Sequence, residues 1–310
     1  MPKVSVVMPV YNRSARVGAA IESILGQTMN DFELLIVNDG STDDTMVEIN
    51  KYAQTEERIK VLDLPTNAGQ GLARAIGNEA AIGDYIAVMD SDDVSLPNRL
   101  ERQTHFMDQN AHITLAGSGA VKVLGARRLK MTMPENDSKI KARLLLLDAT
   151  FVHSTTIMRR HFLKERNVNY GTQRRGDDDY DFFTKMVEAG AAFHNMPDTL
   201  VEYHRHSSNI TKTIAGLSRD KLPLRKNLLR LYFPYLTNKE TDALGRLMQA
   251  EGKITIKTFF EGFIAAERAL QMQGSQYGED HAELNNIIGS TLKRAERHIK
   301  SFNQNSLPRE

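Results

Sequence analysis

The sequence predicts an α/β fold, a mainly parallel sheet flanked by helices, followed by a helical C-terminal extension. Three observations carry this expectation. Across the first hundred residues, short β-branched runs alternate with segments of helical periodicity. The first run, Val4-Ser5-Val6-Val7-Met8-Pro9-Val10, is apolar nearly throughout instead of alternating, as a strand covered on both faces requires. Beyond Thr211 the strand signals stop and mixed-charge helical sequence takes over.

The elements follow in order. The strand over 4–10 is broken by Asn12-Arg13-Ser14, where Ser14 can cap the next helix. In that helix Val17, Ala20, Ile21, Ile24 and Leu25 form one apolar stripe. A second buried strand covers 32–37. The turn Asn38-Asp39-Gly40-Ser41-Thr42 leads into a helix over 42–52, with Ser41 and Asp44 spaced as a capping box. A third strand over 59–64 ends at Pro65, and a helix over 69–81 follows. A fourth strand over 85–89 runs into Asp90-Ser91-Asp92-Asp93. After Pro97 a helix extends to about residue 109, and residues 113–133 read as extended chain with turns at Gly117, Gly119 and Gly125. A helix over 138–147, a strand over 155–158 and a helix over 177–190 come next, then a short strand or loop over 201–206. The expected domains are 1–212 and a helical region over 213–310.

Composition removes several function classes. The 40 basic and 39 acidic residues leave a net charge of +1, so no whole-molecule field exists for gripping nucleic acid. There is no Cys, which excludes a disulfide framework, a thiolate zinc site and a Cys nucleophile. No stretch approaches the ~20 apolar residues of a membrane-spanning helix. The apolar start is short and interrupted by Pro9, unlike a signal peptide, so the expected location is the cytoplasm. Residues 219–231 interleave Arg219, Lys221, Arg225, Lys226 and Arg230 with Leu222, Leu224, Leu228, Leu229 and Leu231. Such a helix can lie on an anionic surface, here the inner face of a membrane, or pack its leucines against protein.

In open parallel sheets, ligands bind outside the carboxyl ends of the strands, and Asp39 and Asp90 both fall there. Carboxylates two apart, as Asp90 and Asp92 are, can share a hard divalent cation that also takes phosphate oxygens. A solvated Asp turn capping a helix is the plain alternative. No Gly-x-Gly-x-x-Gly follows the first strand and no Gly-x-x-x-x-Gly-Lys occurs, so dinucleotide and phosphate-loop sites are excluded. In the acidic run 177–181, Asp179 shares a stripe with Phe182, Phe183 and Met186 and is expected to face the interior. Asp178 is expected to point away from that stripe. Acids at a helix N-terminus also suit the helix dipole.

Four segments taken together carry a resemblance. They are residues 4–12, then Val37-Asn38-Asp39-Gly40-Ser41-Thr42-Asp43-Asp44-Thr45, then Asn67-Ala68-Gly69 with Ala73-Arg74 and Gly77, and last Gly83-Asp84-Tyr85 through Asp90-Ser91-Asp92-Asp93. In order and spacing the chain resembles the family 2 nucleotide-sugar glycosyltransferases of GT-A fold. The resemblance is dense over about 3–105. It resumes at His153-Ser154-Thr155, Asp178-Asp179-Tyr180-Asp181 and Tyr203-His204-Arg205-His206, and does not cover the C-terminal hundred residues. Ala75 departs from it, standing where the family often has Asn.

The resemblance implies nucleotide-sugar binding in about 1–105, and an acceptor side and base in about 106–212. Pro9, Val10, Tyr11 and Asp39 would hold the base, Tyr11 by stacking and Asp39 by accepting from an imide N–H. Asn67 would fix the loop carrying Gly69, and Arg74 would sit near the base or diphosphate. Asp90 and Ser91 would contact the nucleotide. Asp92 and His206, with Asp90, would hold Mn2+ or Mg2+. His153 and Asp178 would line the sugar and acceptor side, with Asp179 as the base. The implied activity is metal-dependent inverting transfer from a nucleotide-sugar, a UDP-sugar foremost, to a carbohydrate or lipid-linked glycan, in bacterial surface polysaccharide or oligosaccharide synthesis. A sugar nucleotidyltransferase would need a Gly- and Arg-rich loop after the first strand, which 11–18 lacks. A non-catalytic nucleotide-sugar or glycan-binding protein would have lost a metal or base carboxylate, and all are present.

Overall fold

Nine strands form one sheet in the computed structural model, which describes residues 1–147, 150–171, 177–205, 221–249, 255–271 and 276–305. They are β1 (Val4–Val10), β2 (Phe32–Asn38), β3 (Ile59–Asp63), β4 (Tyr85–Val88), β5 (Val94–Ser95), β6 (Leu115–Leu124), β7 (Arg127–Met131), β8 (Ile157–Arg159) and β9 (Phe193–His204). The helices are α1 (Val17–Leu25), α2 (Thr45–Ala53), α3 (Gln70–Ala80), α4 (Arg99–Gln109), α5 (Asp137–Leu144), α6 (Arg160–Glu165) and α7 (Asp178–Glu188), then α8 (Leu222–Tyr232), α9 (Asn238–Gln249), α10 (Ile256–Leu270) and α11 (His281–Asn305). The chain divides into two compact units, residues 1–136 with 151–218, and residues 137–150 with 219–310. A single cut near residue 212 does not describe the place of 137–150.

The first unit holds the sheet, in the order β3-β2-β1-β4-β8-β6-β9-β5, with β7 on the side of β6. Its first four strands are all parallel. β1 and β2 are buried at every position, which explains their unbroken apolar runs. Antiparallel β8 then joins β4 to β6, while β9 runs parallel to β6. Helix α1 buries Val17, Ala20, Ile21 and Ile24, the predicted stripe. Helix α3 lies close on β1, because a Cβ at Gly77 would stand 2.4 Å from Val7 Cγ1.

Several local expectations differ from the structure. Gly117 and Gly119 lie inside β6, where the register shifts on either side of Gly119 mark a bulge and not a turn. Gly125, with φ +58°, is the residue that turns β6 into β7. Ser14 does not cap α1, which starts at Val17 without a side-chain cap. The capping box at Ser41 and Asp44 does not form either. The hydroxyl of Ser41 instead accepts from the Asn12 amide and Asp43 accepts from the Ser14 amide, so these polar groups tie two loops together. β9 is twelve residues long, and its polar His194, Asn195 and Asp198 hid it from a periodicity search.

The second unit gathers α5 and α8–α11. In α8 the residues Leu222, Leu224, Leu228 and Leu229 are buried, Arg225 donates to Leu145 O at 3.1 Å and Lys226 pairs with Asp242 at 2.7 Å. The apolar face offered as a membrane contact is therefore covered by protein; Arg219 and Asp220 lie outside the described residues. The large apolar side chains that this unit exposes most stand on α10, at Ile256, Phe260 and Ile264. No helix among the described residues is long and apolar enough to cross a membrane.

The α3–β1 contact yields a stability test. A valine at Gly77 must displace the stiff Val7 side chain, and overpacking of that kind costs ~1–3 kcal/mol. Gly77→Val is expected to lower the denaturant midpoint accordingly, and an unchanged midpoint would show that α3 can lift from the sheet freely.

Candidate active site

The parallel strands bring three loops to one edge. After β1, Asn12 adopts φ +50° and is clamped to the loop after β2: its amide donates to Ser41 Oγ at 3.0 Å, and its Oδ1 accepts from Thr42 N at 2.8 Å. Pro9 and Val10 are buried in β1, so the exposed member of the expected base-binding trio is Tyr11, 38% accessible. Asp39 is buried and receives the amides of Ala68 at 2.6 Å and Gly69 at 2.9 Å, one on each oxygen. It thereby fixes the loop entering α3. A carboxylate has about four lone-pair sites, so capacity remains for one more donor. Gly40 beside it has φ +65°, and a Cβ there would meet Thr66 C at 2.5 Å, which explains the glycine. Asn67 keeps a buried Oδ1 without a hydrogen-bond partner among the described residues.

The turn after β4 crowds three carboxylates. Asp90 Oδ1 pairs with the buried Arg74 at 2.8 Å, and Asp92 Oδ2 meets Arg13 Nε at 3.3 Å. Asp93 is buried; its Oδ2 accepts from Ser154 Oγ at 2.5 Å and its Oδ1 from His204 N at 2.9 Å. Ser91 is buried between them. Beneath the turn, fully buried Arg99 donates to Val88 O at 2.8 Å and to Gln103 Oε1 at 3.0 Å. Burial pulls the Arg99 pKa down to about 10 against the opposing pull of Asp93 and Asp90. Burial would raise the Asp90 carboxyl, but Arg74, with Arg99 adding to it, outweighs burial and holds the group below the usual range. Asp93 is pushed well up, by burial first and then by Asp90.

The opposite wall comes from residues 153–171 and α7. His153 Nε2 and the Tyr170 hydroxyl are 2.8 Å apart, and the Tyr170 ring stacks on Phe182 with centroids 4.1 Å apart. The Arg74 guanidinium lies 5.9 Å from the Tyr170 ring centre. Burial, helped by Arg74, drives the His153 pKa down to about 3, so this imidazole is neutral. Asp178 is 6% exposed and abuts the first turn of α3, where a Cβ at Gly71 would lie 2.8 Å from its Oδ1. Burial raises its pKa to about 6; Arg74 opposes this, while Asp179, Asp177 and Asp181 add to it. Asp179 is less buried and accepts from the Tyr180 amide at 2.9 Å. It acts electrostatically on both Arg74 and Tyr170. Asp178, expected to point away from the apolar stripe of α7, is buried together with Phe182, Phe183 and Met186, whereas Asp179, expected on that stripe, is half-buried. Gly71 opens a space on α3 that the Asp178 side chain and the Gly171 carbonyl fill, and helical periodicity within α7 carries no sign of it.

The structure therefore brings Asp39, Arg74, Asp90, Asp92, His153, Asp178 and Asp179 to one region of the first unit. His206 lies outside the described residues, two positions past the end of β9. Among the described residues no group of three His, Asp or Glu side chains is arranged to hold a metal. What they do offer is Asp90 and Asp92, oxygen donors in the spacing that suits a hard cation completed by ligand phosphates.

The comparisons with known proteins decide the class. The profile of Glycosyl transferase family 2 matches residues 5–166, just over half of the chain. The chain belongs to glycosyl transferase family 2. It is similar to the putative glycosyltransferase EpsE of Bacillus subtilis, 31% identical over 75% of this chain and 90% of that one. It is also similar to the O-antigen biosynthesis glycosyltransferase WbnJ of Escherichia coli, 31% identical over 68% of this chain and 82% of that one. Among solved structures it resembles S. aureus TarS 1-349 in complex with UDP-GlcNAc, with TM-score 0.65, 18% identity and coverage of 99% and 93% of the two chains. It also resembles the mannosyltransferase PcManGT of Pyrobaculum calidifontis in complex with GDP-Man and Mn2+, with TM-score 0.52, 14% identity and coverage of 99% and 81%. The fold is GT-A, and the protein is a transferase enzyme.

Three residues of this glycosyltransferase's site escaped sequence reasoning. Arg13 read only as part of the break after β1, and Arg99 and Tyr170 belong to no motif. Their shared signal is spatial: each packs against residues from distant segments.

The buried Asp178 makes stability depend on pH in a defined sense. Its folded pKa lies above its unfolded one, so the folded state binds the proton more tightly between about pH 4 and 6. Stability gained at low pH is then lost as pH rises through about 6. Asp178→Asn is expected to remove this loss, making the variant more stable than wild type at pH 7.5 by ~1–3 kcal/mol and nearly equal to it at pH 4. Urea denaturation at the two pH values measures the difference, and a pH-independent offset would contradict the assignment.

Proposed function

We propose that this glycosyltransferase moves a sugar from a UDP-sugar to a carbohydrate hydroxyl with inversion, using Mn2+ or Mg2+ held at Asp90 and Asp92. The observation that carries the reading is the convergence of the acidic turn after β4 with Arg74 and the two carboxylates at the start of α7. The bound metal would supply Lewis-acid stabilisation of the diphosphate leaving group. His206 is the proposed third protein ligand. The fold neighbour that binds UDP-GlcNAc supports a uridine donor. The similarity to an O-antigen enzyme supports a carbohydrate or lipid-linked glycan acceptor in surface polysaccharide synthesis.

The residues take distinct tasks. Tyr11 presents its exposed ring to the base, and Asp39 accepts the imide N–H with its remaining lone pairs. Arg74, anchored to Asp90, presents cationic charge to the donor while buried, where charge is worth most. Neutral His153, held by the Tyr170 hydroxyl, lines the sugar side as a donor or acceptor of one hydrogen bond. Asp179 accepts the acceptor's proton as the new glycosidic bond forms and the bond to the diphosphate breaks. Its greater exposure gives an incoming hydroxyl the access that Asp178 denies. The proton ends on Asp179 and is released to solvent after the product leaves.

Asp179→Asn keeps the shape and removes the proton acceptor. Single-turnover transfer is expected to fall by the ~10²–10⁴-fold typical of a lost general base, with UDP and Mn2+ binding preserved by calorimetry. Near wild-type transfer by that variant would overturn the assignment. EDTA is expected to abolish wild-type transfer and added Mn2+ to restore it; full activity in EDTA would remove the metal from the mechanism.

A further inference from the structure

We infer that Arg13 couples metal binding to nucleotide binding, by pairing with the metal-side carboxylate Asp92 until a diphosphate arrives to bridge the two cations. The inference rests on the proposed metal site and adds a residue to which the sequence motifs gave no role. Arg13 spans the two halves of the proposed nucleotide site. Its guanidinium donates to Asn12 O at 3.1 Å and reaches Tyr11 O at 3.5 Å, on the base side. Its Nε stands 3.3 Å from Asp92 Oδ2, on the metal side, and both side chains are only 13% exposed. Its backbone is fixed as well, since its amide donates to Thr45 Oγ1 at 2.8 Å. The side chain is thus aimed by the clamped loop and does not swing freely from the surface.

The electrostatic consequence follows from counting charges. Asp90 pairs with Arg74 at 2.8 Å and Asp92 with Arg13 at 3.3 Å, so each carboxylate offered to a divalent ion already carries a cation. With Arg13 on Asp92, an entering ion meets a neutralised ligand and a like charge beside it, in a site partly shielded from solvent. A diphosphate reverses the balance. Its oxygens pair with a guanidinium in the fork geometry that arginine prefers, and they coordinate the ion at the same time. Arg13 then moves its pairing from Asp92 to phosphate. Metal and nucleotide should therefore bind weakly apart and strongly together, with Arg13 as the source of the coupling.

The test uses calorimetric titration of the full chain with Mn2+ alone and again in saturating UDP, with circular dichroism and melts to confirm folding. Arg13→Gln is expected to bind Mn2+ alone about 3- to 10-fold more tightly than wild type, as an ion pair competing for Asp92 is removed. UDP is expected to strengthen wild-type Mn2+ binding at least ~5-fold, and Arg13→Gln to lose most of that enhancement. Arg13→Lys keeps a cation near Asp92 and is expected to stay close to wild type with Mn2+ alone. Asp92→Asn separates the two ways of failing. If Asp92→Asn abolishes Mn2+ binding while Arg13→Gln binds Mn2+ no more tightly than wild type, the coupling role is overturned and the metal site stands. If Asp92→Asn binds Mn2+ like wild type, the metal site itself is overturned, and the coupling with it.

Discussion

Three carboxylates within four residues at the end of β4 are the constraint around which the first unit is organised. Like charges at such spacing are tolerable in a buried turn only when cations or proton uptake offset them. Here both occur. Arg13 comes from the loop after β1, Arg74 from α3 and Arg99 from α4, so three separate segments each deliver one guanidinium to the same turn. Arg74 and Arg99 are essentially inaccessible, a costly placement that the acids make sustainable. Asp93 takes the other route. Burial and the neighbouring acids favour its protonated form, while Ser154 and the His204 amide donate to it and partly oppose that tendency. The parallel sheet makes this arrangement possible, because it brings the carboxyl ends of β1, β2 and β4 to one edge.

Helix α3 transmits this arrangement across the cleft. Its entry loop is held by Asp39 through two amides, and Gly69 at φ +99° sets the angle at which the helix starts. Asp178 approaches the same first turn from the opposite wall, where Gly71 leaves room. Two acids from different segments thus flank one helix N-terminus, where the dipole and free amides favour negative charge. One turn further on, Arg74 projects to Asp90 and toward Tyr170. The acidic turn after β4 and the start of α7 are consequently indexed to one element, and a shift of α3 would move its contacts with both.

The legible part of the sequence was the part governed by local rules. Continuous β-branched runs gave β1 and β2, the 3.6-residue stripe gave α1, and the aspartates after β2 and β4 fell where strand ends predict. Local chemistry misled where a polar residue had a distant partner. Ser14, Ser41 and Asp43 carry capping chemistry, yet two of them are used to bind the loop after β1 to the loop after β2, and Ser14 caps nothing. The bulge at Gly119 and the length of β9 depend on pairing between segments some eighty residues apart. Tyr170 was invisible for the same reason, since its partners His153 and Phe182 come from two other segments.

The pair Asp178 and Asp179 shows how environment distinguishes adjacent acids. Both start the same helix and both feel Arg74, so neither residue type nor dipole distinguishes them. Burial does. Asp178 is wedged against α3, where burial raises its proton affinity. Asp179 lies one residue on, rotated by about 100° around the helix. That rotation places it at the edge of the apolar stripe, less buried yet still within electrostatic reach of Arg74 and Tyr170. A general base must be reachable by a hydroxyl that arrives from solvent, and it must keep its charge until the proton transfers. A carboxylate sealed against Gly71 fails the first condition. The stripe read from sequence put Asp179 inside; the structure leaves it half-buried at the boundary, the position that the proposed role as base calls for.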